Sequence, residues 1–88
     1  MTERELEKQL KALANRRRIL ILKYLKQHRE AAVGDIARAI NLSFRSTSKH
    51  LTVLTAADVV EKEQRSVQMF YRLVHVSAPA IRHIISLL

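Results

Sequence analysis

The sequence predicts a mainly α domain with one small β-hairpin, in the order helix, helix, helix, helix, hairpin, helix. Three observations predict it. Apolar residues return at every helical turn through most of the chain. From Met69 to Val74 that spacing gives way to a two-residue one, Met69, Tyr71 and Leu73 against Phe70, Arg72 and Val74, the period of a strand. The residues between these runs are of the types that cap helices or make turns. Length sets the scale: residues 1–88 are expected to form one domain, toward the small end of independent folding units.

Thr2 and Glu5 have capping-box spacing, and Leu6, Leu10 and Leu13 then fall at i, i+4 and i+7 on a first helix. Asn15 can cap a second helix, with Ile19, Leu22 and Leu25 as its inner stripe and Ile21 and Tyr24 beside it. Gln27-His28-Arg29-Glu30 is a polar break. Val33, Ile36, Ala37 and Ile40 give a short third helix, and Asn41-Leu42 turns out of it. Ser43 caps the fourth, its hydroxyl accepting from the amide of Arg45 or Ser46. Asp58 stands where helices often end in a left-handed residue, a conformation Asp tolerates. Val59-Val60 opens a strand, Gln64-Arg65-Ser66-Val67 forms a polar hairpin tip without glycine, and Met69, Tyr71 and Leu73 alternate with Phe70, Arg72 and Val74. Ser77 and Pro79 mark a last helix bearing Ile81, Ile84, Ile85 and Leu88 at i, i+3, i+4 and i+7. Two short helices joined by a tight turn and followed by a hairpin make the winged helix-turn-helix arrangement.

Composition narrows the function. Sixteen Lys and Arg face eight Asp and Glu, a net charge of +8, and a small basic domain suits a polyanion such as nucleic acid. The chain has no cysteine, which removes disulfides, thiolate metal sites and thiol redox sensing and fits a cytoplasmic location. No apolar run approaches the roughly 18 residues of a membrane span, so no membrane partner is expected. No cysteine nucleophile, glycine-rich phosphate loop or acid pair beside a histidine stands out, so neither an enzyme nor a cofactor is expected.

The stretch "NLSFRSTSKHLTVL" (Asn41–Leu54) concentrates the functional signal. At ~100° per residue, Thr47, Leu51 and Leu54 line one side of the fourth helix. Arg45, Ser48, Lys49 and Thr52 spread over the other, with Ser46 and His50 on the flanks and no acid anywhere in the stretch. A helix that enters the major groove needs this division, a packed back and a front free of carboxylates. Arg45 can bond guanine O6 and N7, while Ser43 at the helix start and the hydroxyls of Ser46 and Ser48 supply further polar contacts. Phe44 either meets a thymine methyl or packs on the core edge. His50 either joins base choice or bonds a neighbouring helix.

Around these residues the chain resembles the ArsR-type winged-helix repressors over nearly its whole length. "LKALANRRRILILKYL" (Leu10–Leu25) is similar to their "LKALADPTRLRILxxL" pattern. "DIARAINLSFRSTSKHLTVLTAADVVEKE" (Asp35–Glu63) resembles "ELAxxLxLSQSTVSxHLxxLxxAGLVxxx", and "FYRL" (Phe70–Leu73) resembles the end of the wing. The resemblance implies a homodimer that represses transcription and in many members releases DNA on a signal. Where soft-metal sensors of that family carry a "CVC" motif, this chain reads Ala32-Val33-Gly34, so the thiolate site is missing. The family's second site, on the last helix, is not matched by His75 and His83, eight residues apart; no metal is expected, and the effector is left open. Asp58 replaces the family's glycine. Arg65 is the one cation at the wing tip, either for a minor groove or as a solvated tip residue. Arg16, Arg17 and Arg18 crowd a helix N-terminus against its dipole. Phosphate contact by Arg16 and Arg17 is the expected use, or else solvated positions beside an Arg18 ion pair.

The last helix adds Leu87 to its apolar face. The surplus on it and on the first helix predicts a homodimer interface of Leu6, Leu10, Ile81, Ile84, Ile85 and Leu88. Double-stranded DNA is the expected partner, bound as an inverted repeat by the dimer. The competing readings are a protein-interaction module, favoured by the acidic strand Val60-Glu61-Lys62-Glu63, and a metal-responsive repressor using His75 and His83.

Overall fold

The computed structural model describes residues 1–74 and 79–88. Its elements are α1 (Glu3–Leu13), α2 (Arg16–His28), β1 (Glu30–Ala32), α3 (Val33–Ala39), α4 (Phe44–Ala56), β2 (Val60–Arg65), β3 (Gln68–Leu73) and α5 (Pro79–Ser86). The five helices and the hairpin follow the predicted order. Three helix starts are capped as their sequences predict. Thr2 Oγ1 accepts from the Glu5 amide at 3.2 Å, Asn15 Oδ1 from Arg18 at 3.1 Å and Ser43 Oγ from Ser46 at 3.1 Å. Each satisfies one amide that a helix start leaves without a partner. Pro79 is the first residue of α5, and Ser77, the expected cap before it, lies outside the described residues.

The ends of α3 and α4 are closed by the same device. Asn41 (φ 55°) and Asp58 (φ 59°) are left-handed. At the first, the amides of Asn41 and Leu42 donate to the carbonyls of Arg38 (3.3 Å) and Ala37 (3.0 Å). At the second, Asp58 and Val59 donate to Thr55 and Leu54, both at 3.0 Å. Two such bonds form a Schellman stop, which fixes where the chain leaves the helix. The first stop sets α3 against α4, and the second aims Val59-Val60 into β2.

The sheet has a strand that the sequence reading lacks. The polar break is expected to lead straight into the third helix, but β1 pairs with β3 in the register Glu30↔Arg72, Ala31↔Tyr71 and Ala32↔Phe70. The sheet is antiparallel throughout, in the order β1-β3-β2. Two alanines and a glutamate have little strand preference of their own, and the free edge of β3 supplies the ladder. Arg29 makes the bend from α2 with φ 61° and ψ −55°. At the hairpin tip, Arg65 pairs with Gln68, so the loop is only Ser66-Val67. Ser66 carries a positive φ of 58° and Val67 does not, the sign pattern of a type II′ turn.

The core lies between α2, the backs of α3 and α4, and the inner face of the sheet, and includes Leu25, Ile36, Leu51, Leu54, Val60 and Tyr71. The stripe on α2 differs from the expected one. Ile21 is fully buried and Ile19 is 38% exposed. Apolar residues occupy six of the seven positions from Ile19 to Leu25, so periodicity alone does not choose the inward face; packing does. Ile81 also corrects its assignment. It is 0% exposed within the single chain, so it closes the chain's own core and has no surface left for a partner. Among the described residues, no helix is long and apolar enough to cross a membrane.

Candidate nucleic-acid interface

Helix α4 separates its two sides as the periodicity requires. Thr47, Leu51 and Leu54 are buried. The Thr47 hydroxyl donates to the Ser43 carbonyl at 2.8 Å, so the one buried polar side chain among the described residues is satisfied. On the outer side Phe44, Arg45, Lys49 and Thr52 are exposed, and Ser46, Ser48 and His50 are half-buried. Arg45 and Lys49 make no hydrogen bond or ion pair among the described residues, and α4 carries no acid. Asp35, on the neighbouring helix, is paired with Arg38. A surface of unneutralised cations and hydroxyls at a helix start, where the amide dipole also favours anions, is suited to phosphate and base edges.

The remaining candidates fall in different places. Phe44 is 63% exposed, so it does not pack on the core edge; it lines a cleft with Met69 and the wing-tip Val67. Ser43 is committed to its cap. The Thr52 hydroxyl, on the outer side where the periodicity places it, donates to the Ser48 carbonyl at 3.0 Å and so has its one proton engaged within the helix. Arg16 is exposed with no partner among the described residues. Arg17 Nη1 donates to the Ile40 carbonyl at 3.3 Å, beside the C-terminal end of α3. Its charge thus has an internal partner that neither the phosphate contact nor the solvated position expected for it includes.

Arg18 is the residue that sequence reasoning misjudged most. In place of an ion pair, its Nε and Nη2 donate to the carbonyls of Ala12 (2.6 Å) and Lys11 (3.1 Å), at the C-terminus of α1. Its Nη1 lies 3.3 Å from Nδ1 of His50. Opposition to the dipole of α2 is thus balanced by attraction to the C-terminal ends of α1 and α3. His50 has its pKa lowered, by burial first and then by the positive charges of Arg18 and Arg17. The signal that could have exposed this was the run of three arginines at a helix start, which needs some negative partner.

The wing also departs from expectation. Arg65 is exposed at the wing tip, yet it is not free of partners. It forks onto Glu30, bonds Glu63 through Nε at 3.0 Å, and lies over the Phe70 ring with Cζ 4.7 Å from the centroid. Arg72 bonds Glu61 at 2.9 Å and Glu63 at 3.0 Å. These contacts hold the carboxyls of Glu30 and Glu63 below their usual range, chiefly through the hydrogen bonds from Arg65.

Among the described residues no group of three or more His, Cys, Asp or Glu is placed to hold a metal ion. His28 belongs to the end of α2 and not to a loop; its ring stacks on Tyr24 and its Nδ1 donates to the Tyr24 carbonyl at 3.0 Å. His83 is exposed on α5, and His75 lies outside the described residues.

Comparison with known proteins agrees with this geometry. HlyU from Vibrio cholerae is 30% identical, with a TM-score of 0.81 over 99% of this chain and 92% of its own. The homodimeric winged helix-turn-helix DNA-binding domain of Mb0332 from Mycobacterium bovis, described as a possible ArsR-family transcriptional regulator, is 28% identical, with a TM-score of 0.81 over 99% of this chain and 82% of its own. The transcriptional repressor PagR of Bacillus anthracis, at 23% identity and a TM-score of 0.79 over 96% and 92% of the two chains, shares the fold. A search of curated proteins gives no match. The family model for bacterial regulatory proteins of the arsR family matches residues 15–62, from the cap of α2 into β2. Fold and family match agree: the chain belongs to the arsR family of bacterial regulatory proteins, DNA-binding transcription regulators of winged helix-turn-helix fold.

Proposed function

We propose that this chain is a sequence-specific regulator, a repressor in the usual sense of the family, that binds an inverted-repeat operator in double-stranded DNA as a homodimer. The observation that carries the reading is the exposed side of α4, where Arg45 and Lys49 stand free of acids while Thr47, Leu51 and Leu54 anchor the opposite side. Arg45, Ser46, Ser48 and His50 choose bases, and Lys49 and Arg16 neutralise phosphate. Support for the dimer comes from apolar surface at the two ends of the chain: Leu6 is 37% exposed, Leu10 45% and Leu87 72%, with Ile84, Ile85 and Leu88 only partly covered. The homodimeric state of the Mb0332 domain points the same way. A two-fold axis through such a face sets two α4 helices about one helical turn of DNA, ~34 Å, apart.

The test is a mobility-shift series with a site selected from a random duplex pool. Lys49→Glu is expected to weaken binding to every duplex. Arg45→Ala is expected to cost about 1–3 kcal/mol at the selected site and less on random DNA. If neither substitution changes duplex binding, the reading face is assigned to the wrong side of the molecule. One observation favours the second reading, a protein-interaction module: the solvent face of the wing has both its arginines committed to Glu30, Glu61 and Glu63. A chain of that kind gives no salt-sensitive shift with duplex DNA.

A further inference from the structure

Arg18 stands where α1, α2 and α4 meet. The last four carbonyls of α1 are all occupied: Leu10 and Leu13 accept from the amides of Ala14 (2.9 Å) and Asn15 (2.8 Å), and Lys11 and Ala12 accept from Arg18. Two of the guanidinium nitrogens are therefore anchored to a helix end, and the third is delivered to His50 at 3.3 Å. A guanidinium has only donors. Nδ1 of His50 must accept, because a proton there would face the N–H of Arg18. The ring is then neutral with its single hydrogen on Nε2. Nε2 has no hydrogen-bond partner among the described residues. The one buried side-chain atom without a partner among them is Gln9 Oε1, so Nε2 reaches solvent, on the flank of α4. The lowered pKa of the imidazole agrees with this arrangement.

We infer that Arg18 is a positioning residue for DNA recognition, fixing His50 as an uncharged Nε2–H donor that reads an acceptor on a base edge. The inference rests on the assignment of α4 to the major groove. There guanine offers O6 and N7, adenine N7 and thymine O4, whereas cytosine presents its amino donor. A side chain locked as a donor therefore excludes cytosine at one position of each half-site. A histidine free to change tautomer has no such preference. Arg18 also ties this choice to the end of α1, so the helix bearing Leu6 and Leu10 and the base-reading flank of α4 share one side chain.

The first arm of the test needs no DNA. Long-range ¹H–¹⁵N NMR correlation on the full chain reads the His50 tautomer directly. The expected result is an Nε2–H signature with a titration midpoint below the ordinary histidine range. Arg18→Lys keeps a charge but loses the fork, and is expected to give mixed tautomers. An Nδ1–H signature or an ordinary midpoint in the unaltered chain overturns the proposal, whatever the variants do. The second arm compares half-sites selected from a random duplex pool by the unaltered chain and by His50→Ala. One position in each half-site is expected to lose its exclusion of cytosine, with roughly five- to tenfold less discrimination, the others being unchanged. Identical selected sites from two chains that both bind duplex overturn this proposal alone. Failure of the unaltered chain to bind any duplex overturns the assignment of α4 itself, and this proposal with it.

Discussion

Arg65 on β2 and Glu30 on β1 meet in a two-bond fork, Nη1 to Oε1 at 2.7 Å and Nη2 to Oε2 at 2.9 Å, although β3 lies between their strands. The guanidinium crosses the solvent face of the sheet over Phe70 and joins the two edge strands. Such a wing carries its charge inward on itself. Arg65→Ala is therefore expected to lower amide protection along β1 and β2 while leaving the salt dependence of duplex binding unchanged. Lys49→Ala is expected to reduce the slope of log affinity against log salt by about 0.9, the value of one phosphate contact. Equal slope changes for the two variants would mean that the fork opens on DNA.

The apolar surfaces separate by role. Leu54 is fully buried, and Leu54→Ala is expected to cost about 2–5 kcal/mol in thermal or denaturant unfolding. Leu10 is half out in solvent, and Leu10→Glu is expected to leave the fold intact but yield a monomer in analytical ultracentrifugation. A dimeric Leu10→Glu chain would remove α1 from the interface.

Acid acts on this chain in two steps. The imidazole of His50 is held below its usual 6.5, so the unfolded chain takes up that proton first. Its contribution is complete above about pH 6.5 and is lost as pH falls through the folded value. Glu30 and Glu63 are likewise held below their usual 4.5, so the wing network weakens in a lower window, beneath pH 4.5. Melting temperatures followed from pH 7 downward are expected to show an early decline that His50→Gln flattens. The later decline is expected to be reduced when Glu30 and Glu63 are both replaced by glutamine. A single carboxylate-range decline, unchanged by His50→Gln, would contradict the burial of the imidazole.

Arg29 holds a positive φ with negative ψ, a γ-turn geometry that strains any residue bearing a Cβ. Arg29→Gly is expected to stabilise the chain by about 1 kcal/mol after the added freedom of the unfolded glycine is set against the relieved strain. A fall in melting temperature would show that the Arg29 side chain contributes more than its backbone costs.

The parts of this molecule that were legible in sequence are those decided by neighbours in the chain. The caps at Thr2, Asn15 and Ser43 each need one hydroxyl or amide oxygen three residues before its amide. The division of α4 needs only the helical period, and the left-handed Asp58 only its place after the helix. What was not legible depends on partners far along the chain. Strand β1 exists because β3, some forty residues later, offers it a ladder. Arg65 finds Glu30 from 35 residues away and Arg18 finds His50 from 32, in both cases after helices and strands have been docked. Ile19 and Ile21 are equally apolar, and only the assembled core distinguishes them. Ile81 fits a surface stripe by spacing, and only the assembled core shows it fully covered.

The order β1-β3-β2 has one more consequence. Among the described residues it leaves one rim of β2 without a neighbouring strand, so that alternate amides and carbonyls of this six-residue strand face away from β3. Such a rim can template the addition of a strand from another molecule, which is a common beginning of aggregation. Here the rim reads Val60-Glu61-Lys62-Glu63-Gln64-Arg65, with four charges in six positions, and a second copy arriving antiparallel or parallel would have to desolvate them. The same acids and cations that pair within the wing thus discourage the addition of a further strand at this edge.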